Sequence, residues 1–195
     1  TTEDITMTNT ILPKVPREEM SEGIGMAWDA LHELSGDATF VEVFANAPEV
    51  LNFAMVDFYQ KLFFEGRVDE RYKQLARLRL SMNHGCRTCN LQNVIGVAGF
   101  GYSQQQIDDL WQADYASFSE DEQAVMELAD EIALNNREGE YTRALHQKLK
   151  RHFSDADILE LAMCLGVIVG LVKLSFTLGL VQKESYCEFG TSAVA

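Results

Sequence analysis

The segment that most constrains the fold lies near the C-terminal end of the chain and is apolar on nearly every side. It is predicted as a helix from Asp155 to Leu178, opened by a capping box in which Ser154 is followed three residues later by Asp157. A helix without a polar face is stable only when it is buried in a core or at a subunit interface. Its apolar run, 158–172, is about 15 residues long, whereas a membrane span needs about 20. We therefore predict a core or interface helix and no membrane partner.

The remaining segments also have the start and stop signals of helices. Pro16 and Pro48 suit the first position of a helix, and residues 119–122 form a second capping box. No segment alternates between polar and apolar residues as a strand would. The sequence therefore predicts an all-α fold with one helical domain over 16–181, a flexible arm over 1–15 and a tail over 182–195. Helices are predicted over 16–34, 38–46, 49–64, 69–84, 87–100, 104–113, 120–135, 142–152 and 155–178.

Charge and cysteine content narrow the range of partners and compartments. The formal net charge of -14 repels a phosphate backbone and an anionic bilayer, so we predict no nucleic-acid or membrane partner. The four cysteines are too few and too unevenly placed for the disulfide framework of a secreted domain. No basic and then apolar leader is visible, so we expect a cytoplasmic location. Cys164 in the apolar helix and Cys187 in the predicted tail carry no functional signal.

The other two cysteines, Cys86 and Cys89, stand where one predicted helix ends at Gly85 and the next begins. In C-x-x-C spacing two thiols lie on one face of a helical turn, close enough to form a disulfide or to react in sequence. Unpaired N–H groups at a helix N-terminus favour the reactive thiolate. A redox pair and a structural pair both remain open, and a metal site is the weakest of the three possibilities. Because a zinc site needs four ligands and only His84 is near, we predict no metal, and no motif predicts a cofactor.

The sequence around this pair resembles the core motif of the carboxymuconolactone decarboxylase-like and alkylhydroperoxidase D (AhpD)-like superfamily. The resemblance rests on the run from Gln74 to Ser81 that leads to Gly85, Cys86 and Cys89, and on two later segments, 118–131 and 153–180. It implies an AhpD-like helical domain, with the C-x-x-C at the start of a central helix, that assembles as a trimer or hexamer. It also implies that Cys89 is the thiol oxidised by a hydroperoxide and that Cys86 closes the disulfide.

The resemblance further implies a proton relay, and two of its positions carry amides in this chain. Gln74 stands where the family has a glutamate, and Asn93 stands where it has a histidine four residues after the second cysteine. An amide can orient a water or a substrate oxygen, but it does not take up a proton near pH 7. His84, two residues before Cys86, and Glu70, one turn before Gln74, are the candidate substitutes for the missing base.

Two arginines on the same predicted helix, Arg77 and Arg79, are candidates for binding an anionic group or for salt bridges between subunits. The leading hypothesis is an enzyme, a thiol-dependent oxidoreductase that reduces a small hydroperoxide and is recycled by a thiol reductant. One alternative is a lyase, related to carboxymuconolactone decarboxylase, that acts on a small organic acid. Another is a non-catalytic oligomeric scaffold whose C-x-x-C is structural. The resemblance implies a homo-oligomer.

Overall fold

The structure, a computed structural model, describes residues 8–189, and every regular element within this range is helical. The one β-type pairing between described residues is an isolated bridge between Cys86 and Lys183. The predicted all-α fold is therefore confirmed. The helices are α1 (Glu22–Ser35), α2 (Thr39–Phe44), α3 (Pro48–Asn52), a π-helix (Phe53–Phe64), α4 (Glu70–His84), α5 (Arg87–Ala98), α6 (Gln104–Trp111), α7 (Glu120–Ile132), α8 (Arg143–Lys150) and α9 (Asp155–Leu178).

The predicted helix beginning at Pro16 is wrong in its first turns. The chain there forms a short 3-10 turn, Arg17–Glu19, and Met20 and Ser21 are extended, so that α1 begins only at Glu22. The other predicted boundaries lie within three residues of those in the structure. Before this turn the chain contacts α2 at Thr8, whose hydroxyl hydrogen-bonds with that of Thr39 at 3.2 Å, and at Val15, whose N–H donates to the Glu42 carbonyl at 2.9 Å. Residues 1–7 lie outside the described range, and the flexibility of the arm stays a prediction.

The predicted helix over 49–64 consists of two parts that continue into one another. Its first turns are α3, and its remainder is a π-helix, in which each N–H bonds to the carbonyl five residues earlier. This wider turn brings Phe58 and Phe63 into the core and leaves Phe53 and Phe64 exposed. The helix therefore presents aromatic rings to two surroundings, the core on one side and the edge of a cavity on the other.

Helix α4 is the centre of the fold. Ten of its fifteen residues are buried, and it packs against α5, α7, α9 and the π-helix. Ala76 and Leu80 join the apolar cluster formed with α7 and α9, whereas Leu75, Leu78 and Met82 join a second cluster formed with α5 and α6. Because both sides of α4 are covered, its position is determined by two cores at once.

Helix α9 is buried on one side only. Leu161, Cys164 and Leu165 lie in the core, whereas Leu159 and Met163 are 70% and 59% exposed. The expectation that this helix is enclosed on every side is therefore not met within a single chain, and an intersubunit position for its open face stays a prediction. By length and composition α9 would pass as a membrane span, as the core helices of many globular proteins do.

A buried ion pair joins α4 to α9. The Lys73 ammonium, whose side chain is fully buried, donates to Glu160 Oε1 and to the Leu62 carbonyl, both at 2.9 Å. Glu160 also accepts the N–H groups of Arg67 and Val68, at 3.0 and 2.9 Å. Burial alone would raise the pKa of this carboxyl, but these hydrogen bonds and Lys73 together lower it. A Cβ at Gly66 would collide with the same groups, so only glycine fits beside the pair.

We expect Lys73→Met to lower the free energy of unfolding by about 3 kcal/mol, because it leaves the Glu160 carboxylate buried without its cation. The measurement is urea denaturation followed by circular dichroism. Lys61→Met is the matched control, since Lys61 pairs with Asp57 on the surface and exposed pairs contribute little. Equal losses in the two variants would contradict the structural role assigned to Lys73.

Candidate functional site

The site begins at the turn between α4 and α5, which Gly85 makes possible. Gly85 has φ 67°, in the left-handed region, and a Cβ there would stand 2.8 Å from Cα and Cβ of Cys187. The turn ends α4 and places Cys86 at the N-cap of α5, where its Sγ accepts the Cys89 N–H at 3.3 Å. The predicted position of the C-x-x-C, at the start of a central helix, is thereby confirmed.

Cys86 and Cys89 form a disulfide with their Cα atoms 5.2 Å apart. The two sulfurs differ in access, since Cys86 is fully buried whereas Cys89 is partly exposed and lines a cavity. A small molecule in the cavity can therefore meet Cys89 but not Cys86. This asymmetry agrees with the roles that the resemblance implies for the two thiols.

The described part of the predicted tail, 182–189, covers the buried side of the disulfide. The Glu184 N–H donates to the Gly85 carbonyl at 2.9 Å, and the Cys187 thiol donates to the His84 carbonyl at 3.2 Å. Phe189 stacks on Phe176 of α9. Sequence reasoning missed this packing, because the segment has no helical period and its aromatic residues are too few to signal a core. Residues 190–195 lie outside the described range.

The cavity has a volume of about 370 Å³, a size typical of small-molecule sites, and most of its wall is apolar. Apolar side chains come from the π-helix, α1, α2, α5 and α9, and include Tyr59, Leu31, Phe40, Ile95 and Val172. The side chains that are charged at neutral pH in this wall are Asp37 and Arg77. Asp37 already accepts hydrogen bonds from the Thr88 hydroxyl at 3.1 Å and from the Thr39 N–H at 3.0 Å.

The two amides at the relay positions both line the cavity and are almost fully buried, Gln74 at 5% and Asn93 at 2% exposure. Gln74 Nε2 donates to Glu70 Oε1 at 2.9 Å, and Asn93 Nδ2 donates to the Arg77 carbonyl at 3.3 Å. Because both partners are pure acceptors, the orientation of each amide is determined. Gln74 Oε1 and Asn93 Oδ1 are left without a hydrogen-bond partner among the described residues.

His84 lines the cavity, but the structure rules it out as the substitute base. Its Nε2 accepts the Leu134 N–H at 2.9 Å, so the basic lone pair of the neutral ring is already occupied. Burial lowers the pKa of His84 to about 4, which keeps the ring neutral near pH 7. The His84 side chain is buried, with 1% of its surface exposed.

The remaining predicted residues divide between the cavity and its surroundings. Glu70 does not line the cavity, but it orients Gln74. Arg77 lines it, and its guanidinium lies 5.0 Å from the centre of the Tyr59 ring. Arg79 lies elsewhere: its Nε donates to Asp130 at 2.7 Å and its Nη1 to the Leu110 carbonyl at 2.8 Å. The prediction that Arg79 binds an anionic ligand is therefore not supported, because its donors serve the fold.

Over residues 48–131 the sequence matches the model of the carboxymuconolactone decarboxylase family. This range includes α4, the C-x-x-C and α5. The predicted family resemblance is confirmed. Among the described residues no group of three or more His, Cys, Asp and Glu side chains is placed to hold a metal ion. No curated protein matches the sequence.

Two crystal structures share the AhpD-like fold of this chain. One is an uncharacterised peroxidase-related protein from Ralstonia eutropha JMP134 with an alkylhydroperoxidase AhpD core; it is 16% identical, with a TM-score of 0.68 over 88% of this chain and 90% of that one. The other is a protein of unknown function from Agrobacterium tumefaciens, described as a candidate AhpD antioxidant defence protein; it is 21% identical, with a TM-score of 0.61 over 69% of this chain and 91% of that one. At such identities the likeness establishes the fold.

The buried, neutral His84 predicts a loss of stability in acid. The unfolded chain takes up a proton at the ordinary histidine pKa of about 6.5, whereas the folded ring does so only near pH 4, so stability falls as the pH drops through this window. Between pH 7 and pH 5 we expect a loss of about 2 kcal/mol from this group. Urea denaturation of the parent and of His84→Gln, which keeps an acceptor for Leu134, measures it. The difference between the two proteins should change with pH; a constant difference would contradict the assignment.

Proposed function

We propose that the protein is a thiol-dependent oxidoreductase that reduces a hydroperoxide with its Cys86/Cys89 pair. The observation that carries the proposal is the asymmetric disulfide, with Cys89 at the wall of an apolar cavity and Cys86 buried behind it. The family match and the AhpD-like fold support it. The proposal includes a cytoplasmic location, a thiol reductant as partner and assembly as a trimer or hexamer.

The reaction proceeds in two steps from the reduced pair. The Cys89 thiolate attacks the terminal oxygen of the hydroperoxide, an S–O bond forms as the O–O bond breaks, and the departing alkoxide takes a proton from water. The Cys86 thiol then attacks the Cys89 sulfenic acid, so that the disulfide forms and water is released. Two thiols are oxidised for each hydroperoxide reduced to an alcohol. An external thiol returns the disulfide to the dithiol by exchange.

Because Gln74 and Asn93 replace the proton-transferring residues of the relay, the rate enhancement must come from other groups. No protonatable side chain stands at the positions of Gln74 and Asn93, and the basic nitrogen of His84 is occupied. General acid–base help, typically worth about 10²–10⁴-fold, is therefore missing from these positions. What remains is thiolate stabilisation by the N–H groups at the start of α5 and orientation of the substrate oxygen by the two amide oxygens. We infer a slow enzyme that depends strongly on how well its substrate is oriented.

We expect the reduced protein to lose two thiols per molecule when an organic hydroperoxide is added, and Cys89→Ser to react much more slowly. The measurement is hydroperoxide consumption together with free-thiol counting. Cys164→Ala is the matched control, because burial raises the pKa of that thiol to about 11 and makes it unreactive. If Cys89→Ser consumes hydroperoxide as fast as the parent, the proposal fails.

The unpaired position of Arg77 favours one alternative, a lyase that acts on a small organic acid. Within residues 8–189 no carboxylate forms a salt bridge with Arg77, and a substrate carboxylate in the cavity would be one partner of the right charge. Turnover of such an acid by the double Cys→Ser variant, and its loss in an Arg77 variant, would favour the lyase. A scaffold role would instead leave the thiols no more reactive than free cysteine, and reduction would lower the melting temperature.

A further inference from the structure

We propose that the substrate is an amphipathic organic hydroperoxide that carries a carboxylate. Its carboxylate binds Arg77, its hydroperoxyl group donates to Gln74 Oε1 or Asn93 Oδ1 beside Cys89, and its hydrocarbon body occupies the apolar wall. This inference rests on the proposed function and adds the substrate class. The residues named lie on two packed helices, α4 and α5, that form one side of the cavity.

The surroundings of Arg77 indicate that the ligand carries a negative charge. The guanidinium lies 5.0 and 5.6 Å from the ring centres of Tyr59 and Phe63, so its neighbours are aromatic faces. No carboxylate of the described range forms a salt bridge with it. Every other arginine of helices α4 and α5 has a carboxylate or hydroxyl partner. Asp37, the acidic side chain of the cavity wall, is occupied by Thr39 and Thr88. A carboxylate in the cavity would therefore meet one free cation.

The two unpaired amide oxygens, Gln74 Oε1 and Asn93 Oδ1, indicate that the ligand carries a hydrogen-bond donor. A buried acceptor without a partner costs about 1–3 kcal/mol, so two of them in one cavity indicate a ligand that supplies O–H or N–H groups. A Cβ at Gly96 would stand 3.0 Å from Gln74 Oε1, which places that oxygen against α5. Cys89, Asn93 and Gly96 are spaced four and three residues apart, on one face of that helix. The unpaired oxygens and the reactive sulfur therefore belong to the same surface.

A hydroperoxide matches this arrangement at its reactive end. Its single O–H can donate to an amide oxygen, which orients the terminal oxygen that the Cys89 thiolate attacks. The O–O bond then breaks, and the alkoxide, after taking a proton from water, becomes a hydroxy acid. Hydrogen peroxide and small neutral hydroperoxides have neither a carboxylate for Arg77 nor a body for the apolar wall, so we expect them to be poor substrates.

The first test compares linoleic acid hydroperoxide with its methyl ester, in which a neutral ester group replaces the carboxylate, and uses dithiothreitol as reductant. For the parent we expect kcat/KM to be about tenfold higher for the acid than for the ester. One charge-assisted hydrogen bond is worth about this factor in binding. Arg77→Met should lower kcat/KM for the acid about tenfold more than for the ester and so remove this preference, and Arg77→Lys should keep part of it. Arg67→Met, which alters a surface arginine paired with Asp157, is the matched control.

Two outcomes of this comparison would overturn the proposal. One is an equal kcat/KM for acid and ester in the parent. The other is an equal loss for both in Arg77→Met, which would mean that Arg77 stabilises the departing alkoxide rather than a substrate carboxylate. A preference for the acid that Arg77→Met abolishes would support it.

The second test measures binding to the oxidised protein by calorimetry and needs no turnover. We expect hydroxy-linoleic acid, which has an O–H donor, to bind more tightly than linoleic acid. Asn93→Leu or Gln74→Met should reduce this difference, whereas Asn90→Leu should not. Asn90 is the matched control, because it is a buried amide of α5 with an unpaired oxygen that lies outside the cavity. Equal binding of the two acids by the parent would overturn the assignment of the donor.

The two tests separate this inference from the proposed function. If no hydroperoxide is reduced but linoleic acid binds in a manner that depends on Arg77, the oxidoreductase fails and the carboxylate site stands. If cumene hydroperoxide is reduced efficiently through Cys89 but neither acid binds, the oxidoreductase stands and the substrate class is wrong.

Discussion

The buried pair of Lys73 and Glu160 is the interaction on which the arrangement of the helices depends. Two charges removed from water are tolerated when further hydrogen bonds stabilise them, and here the Leu62 carbonyl accepts from Lys73 while the N–H groups of Arg67 and Val68 donate to Glu160. A shift of α4 along α9, or a rotation about its axis, would break several of these bonds at once. Together with the two apolar clusters on either side of the helix, the pair therefore fixes the rotation of α4. Residues 74, 77, 81 and 84, which share one stripe of that helix, consequently face the cavity.

Much of the fold could be predicted from local signals. The capping residues Ser119 and Ser154 and the glycine at residue 85 mark the ends of helices through bonds within a few residues, and the structure contains those bonds. Local structure that depends on contacts between distant parts of the chain could not be predicted from the sequence. The π-form of 53–64 and the packing of 182–189 against Gly85 are examples, since each is decided by neighbours far away in the chain.

The residues of the candidate site could be predicted from the sequence, but their protonation and hydrogen bonding could not. The C-x-x-C spacing and the two amides are visible in the sequence, and the structure brings Cys89, Gln74, Asn93, Arg77 and His84 to one cavity. The sequence could not reveal that His84 is neutral with its basic nitrogen occupied, or that the amide oxygens lack partners, because burial and hydrogen bonding across helices decide both. It likewise could not separate Arg77 from Arg79, two residues apart, which the helix turns to opposite sides.

Residues 182–189 cover Cys86, and this limits which sulfur an oxidant or a reductant can reach. Only Cys89 meets the cavity, so under the proposed function the same sulfur must receive both the oxidant and the external thiol. The two substrates then compete for one position and cannot form a ternary complex with the protein. Turnover would follow a double-displacement order, in which the hydroperoxide leaves as alcohol before the reductant enters. Under the proposed function, the burial of one cysteine would thus determine the kinetic scheme as well as the chemistry.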